Sequence, residues 1–254
     1  MKNNKTAKKI IFVLAAVVFT LAAVYLAVFF YNQHAADGEY NNIPTKPTQK
    51  YEPLAYNPID FDALIKGNNE IYAWIKIDDT KVDYPIVQHS AEDEGFYLTH
   101  SAVDKSYLKS GAIYTETCNK RDFSDPITLV YGHNNYGDSM FTTLHRFEDK
   151  DFFDRHEFVY IYTPSRKLTY KIISAFQYDD RHIMNTNDFS DRDTLLEFQH
   201  MLLNPESDNK NVRKAITEEI NESSKIMVLS TCITGDKSSR YLVCCLLVNN
   251  EKTD

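Results

Sequence analysis

Four cysteines and eight histidines hold most of the nucleophilic and proton-transfer chemistry open to this chain. Three of the thiols fall in one stretch, KIMVLSTCITGDKSSRYLVCCLLV, residues 225–248. Cys232 ends the apolar run IMVLST and is followed by the polar TGDKSS. A thiol at a strand end beside a polar loop is partly exposed and is positioned by rigid backbone, as a reactive thiol must be. Cys244 and Cys245 lie inside YLVCCLLV, where alternation along a strand sends one to each face. Buried free cysteine acts as a small hydrophobe. Cys118, in TETCNKRD, reads as a loop thiol with no special role. No pair has C-x-x-C spacing, and no H-E-x-x-H or comparable ligand set occurs, so neither a metal nor another cofactor is expected.

A nucleophilic cysteine needs a base or a cation beside it. His133, in TLVYGHNNYGDSMF, follows Gly132 just past an apolar strand, at the mouth of a loop. His100, His145, His156, His182 and His200 stand in polar or amphipathic contexts without that strand-end placement. Arg240 opens the strand after the Cys232 loop. If 226–231 and 240–248 pair as antiparallel neighbours, Arg240 lies beside Cys232, where a guanidinium stabilises an oxyanion or holds a substrate carbonyl.

The elements that must position these groups are short. Strands are predicted at 73–77, 82–87, 111–114, 127–131, 158–162, 168–176, 226–231 and 240–248, with turns at DDT and TPSR. An amphipathic helix with Pro58 near its start and Gly67 just past its end opens the globular part. A second helix spans 191–203, with Leu195, Leu196, Phe198, Leu202 and Leu203 on one stripe and Ser190 or Asp191 as its cap. Many short strands and few helices predict a mainly β fold built as a closed or nearly closed barrel.

At the N-terminus, Lys2, Lys5, Lys8 and Lys9 precede an apolar run over 10–31. Its length of about 22 residues gives roughly 33 Å of helix, enough for a bilayer core of roughly 30 Å and longer than a secretory h-region. The lysines predict a cytoplasmic N-terminus with all that follows outside. Beyond them the chain holds 24 basic and 36 acidic residues, a net of −12, which argues against nucleic-acid binding. The expected division is a basic tail over 1–9, a transmembrane anchor over 10–31, an extracellular linker over 32–57 and a catalytic domain over 58–254.

His133 in YGHN, Cys232 in LSTC and Arg240 one short loop later, in that chain order, resemble the sortases. These are membrane-anchored cysteine transpeptidases of Gram-positive cell surfaces. The usual sortase signature around the thiol is T-L-x-T-C. Here Val228 stands where that pattern has its first threonine, four residues before the thiol. NNEIYAWIKIDDTKVDYPIVQ, YLTHS and YGHNNYGDSMFTTLHRFEDKDFFDRHEFVYIYT are similar to class B sortases, and the likeness covers 58–248.

The resemblance implies a β-barrel of about eight strands, with N-terminal helices and a helix between the sixth and seventh strands. It implies that Cys232 attacks the threonine carbonyl of a C-terminal sorting signal on a secreted protein. His133 gives a proton to the leaving amine, and Arg240 stabilises the oxyanion or positions the substrate backbone. Ser230 and Thr231 flank the thiol as candidate substrate contacts. The acyl group then passes to a peptidoglycan amine. Two other classes share these residues: a cysteine endopeptidase with water as acceptor, and an inactive membrane-tethered binding domain. A papain-like enzyme does not fit, because His133 precedes Cys232 in the chain.

Overall fold

The computed structural model describes residues 3–40, 54–135, 138–213 and 220–253. The chain divides into two units, Met1–Pro53 and Leu54–Asp254. In the first, helix α1 (Asn3–Tyr40) includes Ile11–Val28, with a mean hydropathy of 2.8. That helix is long and apolar enough to cross a membrane. It is apolar all round rather than along one stripe, the pattern of a helix surrounded by nonpolar material. The helix runs through the first part of the expected linker, to Tyr40. Residues 41–53 lie outside the described residues.

The second unit opens with α2 (Phe61–Gly67) and the strands β1 (Ile71–Lys76), β2 (Asp83–Val87), β3 (Ile113–Tyr114) and β4 (Ile127–Tyr131). A 3-10 segment (Thr142–Glu148) and α3 (Lys150–Arg155) lead into β5 (Phe158–Thr163) and β6 (Arg166–Asp179). Then come α4 (Ile183–Thr186), α5 (Arg192–Leu203), β7 (Lys210–Val212), β8 (Ile226–Ile233) and β9 (Asp236–Lys252). Eight strands close in the order β5-β1-β2-β3-β4-β8-β9-β6, and β6 pairs back onto β5. β7 joins β6 at Ser174–Phe176, past the end of its ladder with β5. Closure leaves the barrel without a long open edge. The fold is thus the mainly β barrel that the sequence predicts, with α5 between the sixth and seventh strands.

Central strands are buried on both faces. Val130, Met227, Leu229, Val243 and Cys245 point into the barrel. Ile127, Leu129, Val228, Leu242 and Cys244 point outward under Leu195, Phe198 and Leu202 of α5. Two-sided burial explains why IMVLS and YLVCCLLV read as unbroken apolar runs. At 12 residues α5 is marginal as an isolated helix, so docking rather than propensity holds it. Each buried leucine or phenylalanine contributes about 1.5–3 kcal/mol. Asp191 caps α5 by accepting from the Thr194 N–H at 2.9 Å.

Three local readings need correction. The first helix of the globular unit starts at Phe61, not near Pro58, because Asp60 accepts from the Ala63 N–H and sets the cap there. Its last residue is Gly67, and Asn68 is the C-cap. The strand expected at 111–114 keeps only Ile113–Tyr114. Gly111 takes a φ of +57° and closes on the Tyr97 and Leu98 carbonyls, which only glycine allows at that approach.

Candidate active site

Strands β4 and β8 run parallel and in register, with Tyr131 opposite Ser230. The Gly132 N–H donates to the Ser230 carbonyl at 3.1 Å, so the row continues past the end of β4, alongside β8. His133 and Cys232 each lie two residues beyond that pair. β8 and β9 are antiparallel, and Cys232 is the register partner of Arg240. The three residues therefore occupy one row at one end of the barrel.

Cys232 and Arg240 also share a face. Along β8, Ile226 and Val228 face outward and Met227 and Leu229 inward. Period-two alternation puts Ser230 and Cys232 outward and Thr231 inward. The same parity puts Arg240 outward with Leu242 and Cys244, while His133 stands in the loop two residues past the end of β4. Thr231 is buried, and its hydroxyl has no partner among the described residues, so it faces away from this side. Ser230 lines a small outward cavity of about 90 Å³ with Tyr131, Tyr178, His182, Arg240 and Leu242.

The histidine is oriented by backbone. His133 Nε2 lies 2.8 Å from the Leu98 carbonyl oxygen. A carbonyl only accepts, so Nε2 carries the hydrogen and Nδ1 is the ring nitrogen left for proton exchange. The Leu98 segment is itself anchored. Fully buried Tyr97 donates to Glu70 Oε2 at 2.6 Å and accepts from Asn68 Nδ2 at 2.8 Å. His89 Nδ1 at 2.9 Å and Lys105 Nζ at 2.8 Å also face the Glu70 carboxylate. Burial opposes the charge on Glu70, but the hydrogen bonds from Lys105, Tyr97 and His89 outweigh it and hold the carboxyl at about 2.

Around the thiol, Tyr114 stacks on Tyr131 with ring centroids 5.2 Å apart. Burial pushes the Tyr114 phenol up, and charge on Glu116 and Cys232 adds to the effect. Glu116 accepts from Tyr131 Oη at 3.3 Å and pairs with His182 Nε2 at 2.9 Å. This ties the segment after β6 to the wall beside Cys232. Arg240 Nη1 donates to the Lys237 and Ser239 carbonyls at 3.1 and 2.9 Å, which fixes the guanidinium over the β8–β9 turn.

Among the cysteines, Cys232 is exposed, and Cys244 and Cys245 are fully buried on opposite faces of β9. Burial pushes the Cys244 thiol up to about 12 and raises Cys245 as well. Cys118 lies on the surface, where partial burial and the Glu116 and Glu94 carboxylates push it up to about 11.

Two side chains at this site had no strand-end signal. Asn134 Nδ2 and His145 Nε2 each lie 3.0 Å from the Cys232 carbonyl oxygen. His145 belongs to the 3-10 segment, whose FTTLHRFEDK sequence has neither strand nor helix periodicity. Asn134 was legible only as the neighbour of His133.

A model of the sortase domain matches residues 75–248, from within β1 to within β9. Sortase B of Listeria monocytogenes is 30% identical over 177 residues, 67% of this chain and 66% of that protein. The match therefore spans about two thirds of that relative's length. The structure of Clostridium perfringens sortase B superposes with a TM-score of 0.63 at 27% identity, covering 74% of this chain and all of that one. A Streptococcus pyogenes class B sortase involved in pilus biogenesis gives 0.63 at 29% identity, over 75% of this chain and 98% of that one. The barrel agrees with these relatives, and the chain belongs to the sortase family, with class B members as its structural counterparts.

Proposed function

We propose that this protein cleaves a C-terminal sorting signal of secreted proteins after threonine and joins the new carboxyl end to a peptidoglycan amine. The observation that carries the reading is the register that brings His133, Cys232 and Arg240 into one row at one end of the barrel. The Cys232 sulfur attacks the threonine carbonyl and a C–S bond forms. The C–N bond breaks as His133 Nδ1 gives its proton to the leaving amine. The acceptor amine then attacks the thioacyl carbon, His133 takes a proton from it, and the C–S bond breaks to return the thiolate. Arg240 supplies positive charge where the oxyanion forms in each half-reaction. Of the two residues flanking the thiol, only Ser230 is assigned to substrate contact, since Thr231 faces the barrel interior. Helix α1 serves as the membrane tether, with the four lysines on the cytoplasmic side and the barrel outside.

The test is intact-protein mass spectrometry of the chain after Tyr31, incubated with x-P-x-T-x peptides with and without a glycine or diaminopimelate peptide. An acyl adduct on Cys232 that the amine converts to ligated peptide is the expected result. Cys232→Ala is expected to abolish both, and Cys244→Ala to leave both. An adduct that water alone resolves, with every amine offered, overturns the transpeptidase assignment.

A further inference from the structure

The proton and acyl transfers assigned above make no direct use of Asn134 or His145, yet both grip the backbone of the nucleophile. Asn134 Nδ2 donates to the Cys232 carbonyl at 3.0 Å and to Thr234 Oγ1 at 3.0 Å. His145 Nε2 lies 3.0 Å from the same carbonyl and 3.1 Å from Asn134 Nδ2. With Nδ1 against a carboxylate, the neutral ring offers Nε2 as an acceptor that aims the Asn134 carboxamide at the carbonyl, and the protonated ring donates to that carbonyl directly. His145 is itself held on two sides. Its Nδ1 lies 2.6 Å from Glu148 Oε1, and its ring stacks on buried Tyr241, centroids 5.0 Å apart. Tyr241 pairs with Thr231 across β8 and β9, which seats His145 one residue from the thiol.

The gripped carbonyl stands at a particular place. The β8–β9 register shifts between Cys232 and Ile233, where the regular ladder stops serving backbone groups. Side chains take over that role here. Asn134 also directly follows His133, so one carboxamide ties the loop of the histidine to the loop of the thiol.

We propose that Asn134 and His145 are positioning residues for the transpeptidase reaction. By holding the Cys232 carbonyl they set the rotation of the peptide after the nucleophile, and with it the placement of the sulfur against His133. The inference rests on the thiol chemistry proposed above. A thiol free to swing still meets substrate, so the loss falls on the chemical step rather than on binding.

The test compares kcat and KM of wild type, Asn134→Ala, His145→Ala and His145→Gln on a peptide–amine pair that the wild type ligates, with melting temperatures alongside. Both alanine variants are expected to lose about 10–100-fold in kcat, the scale of a small misplacement of a reacting group, with KM within about twofold. His145→Gln keeps a side-chain amide that donates to the carbonyl or accepts from Asn134, and it is expected to recover much of that loss. Wild-type kcat in Asn134→Ala and His145→Ala overturns the inference. So does a loss confined to KM, or a glutamine variant as poor as the alanine one. Asn134 is half-buried and outside the apolar clusters, so its truncation carries the test should His145→Ala fail to fold. A wild type that never acylates Cys232 defeats the transpeptidase reading and this inference together. Turnover in wild type with unaffected variants defeats the positioning role alone.

Discussion

At the scale of single residues, four thiols of one chemical type have four different surroundings. Cys244 and Cys245 are fully buried, and burial holds both protonated at neutral pH. Cys118 is at the surface, but its thiol is pushed up to about 11. The nucleophile is the thiolate, so exposure alone does not make Cys118 reactive. Limited alkylation with iodoacetamide at pH 7.5, followed by peptide mapping, is expected to label Cys232 first and Cys118 more slowly. Cys244 and Cys245 are expected to react only after denaturation. Labelling of Cys244 or Cys245 in the folded protein at the rate of Cys232 would contradict this placement.

At the scale of elements, the junction of β4 with the loop after it decides where His133 stands. Gly132 has no room for a side chain. A Cβ there would lie 2.5 Å from Ile113 Cδ1 and 2.6 Å from the Phe141 ring, and both neighbours are buried. The isoleucine tip can give way, but the phenylalanine ring is packed in the core and cannot. Gly132→Ala is therefore expected to push the strand end off its row, at a cost of about 1–3 kcal/mol in stability. Because His133 follows directly, the rate of thioacyl formation should fall by more than the lost stability explains. Denaturant melts and single-turnover acylation on the same variant separate the two effects. An alanine variant with wild-type acylation would show that the glycine is there for packing alone.

At the scale of the whole molecule, the loop bearing Leu98 is held to the barrel through Glu70. Its carboxyl, at about 2 when folded, lies below the ordinary value of 4.5. The unfolded chain therefore binds the proton more readily, so the stabilisation is complete above pH 4.5. It is lost as pH falls from about 4.5 towards 2. Glu70→Gln removes this contribution. Denaturant midpoints at pH 7 and pH 3 are expected to differ less for Glu70→Gln than for wild type. Equal acid sensitivity in the two proteins would show that Glu70 is not a source of the acid limb.

Much of this protein is legible in its linear pattern, because the physics behind those features is local. Unbroken apolar runs mark strands buried on both faces, period-3.6 leucines mark α5, and an imidazole stands just past the end of β4, whereas the thiol, expected past its strand, lies in the last rungs of the β8 ladder. The long apolar helix near the N-terminus is equally local, a matter of length and composition. What tertiary structure alone decided is which ends meet. Parallel pairing of β4 with β8 spans about a hundred residues and sets His133 level with Cys232. No nearby residue pattern encodes that register. The short β7 in DNKNVR has no apolar periodicity and exists only because β6 runs on past its ladder with β5. The contacts of Asn134 and His145 with the Cys232 carbonyl, and of His133 with the Leu98 carbonyl, were likewise hidden. Their partner is a backbone oxygen, which every residue has and no sequence position marks.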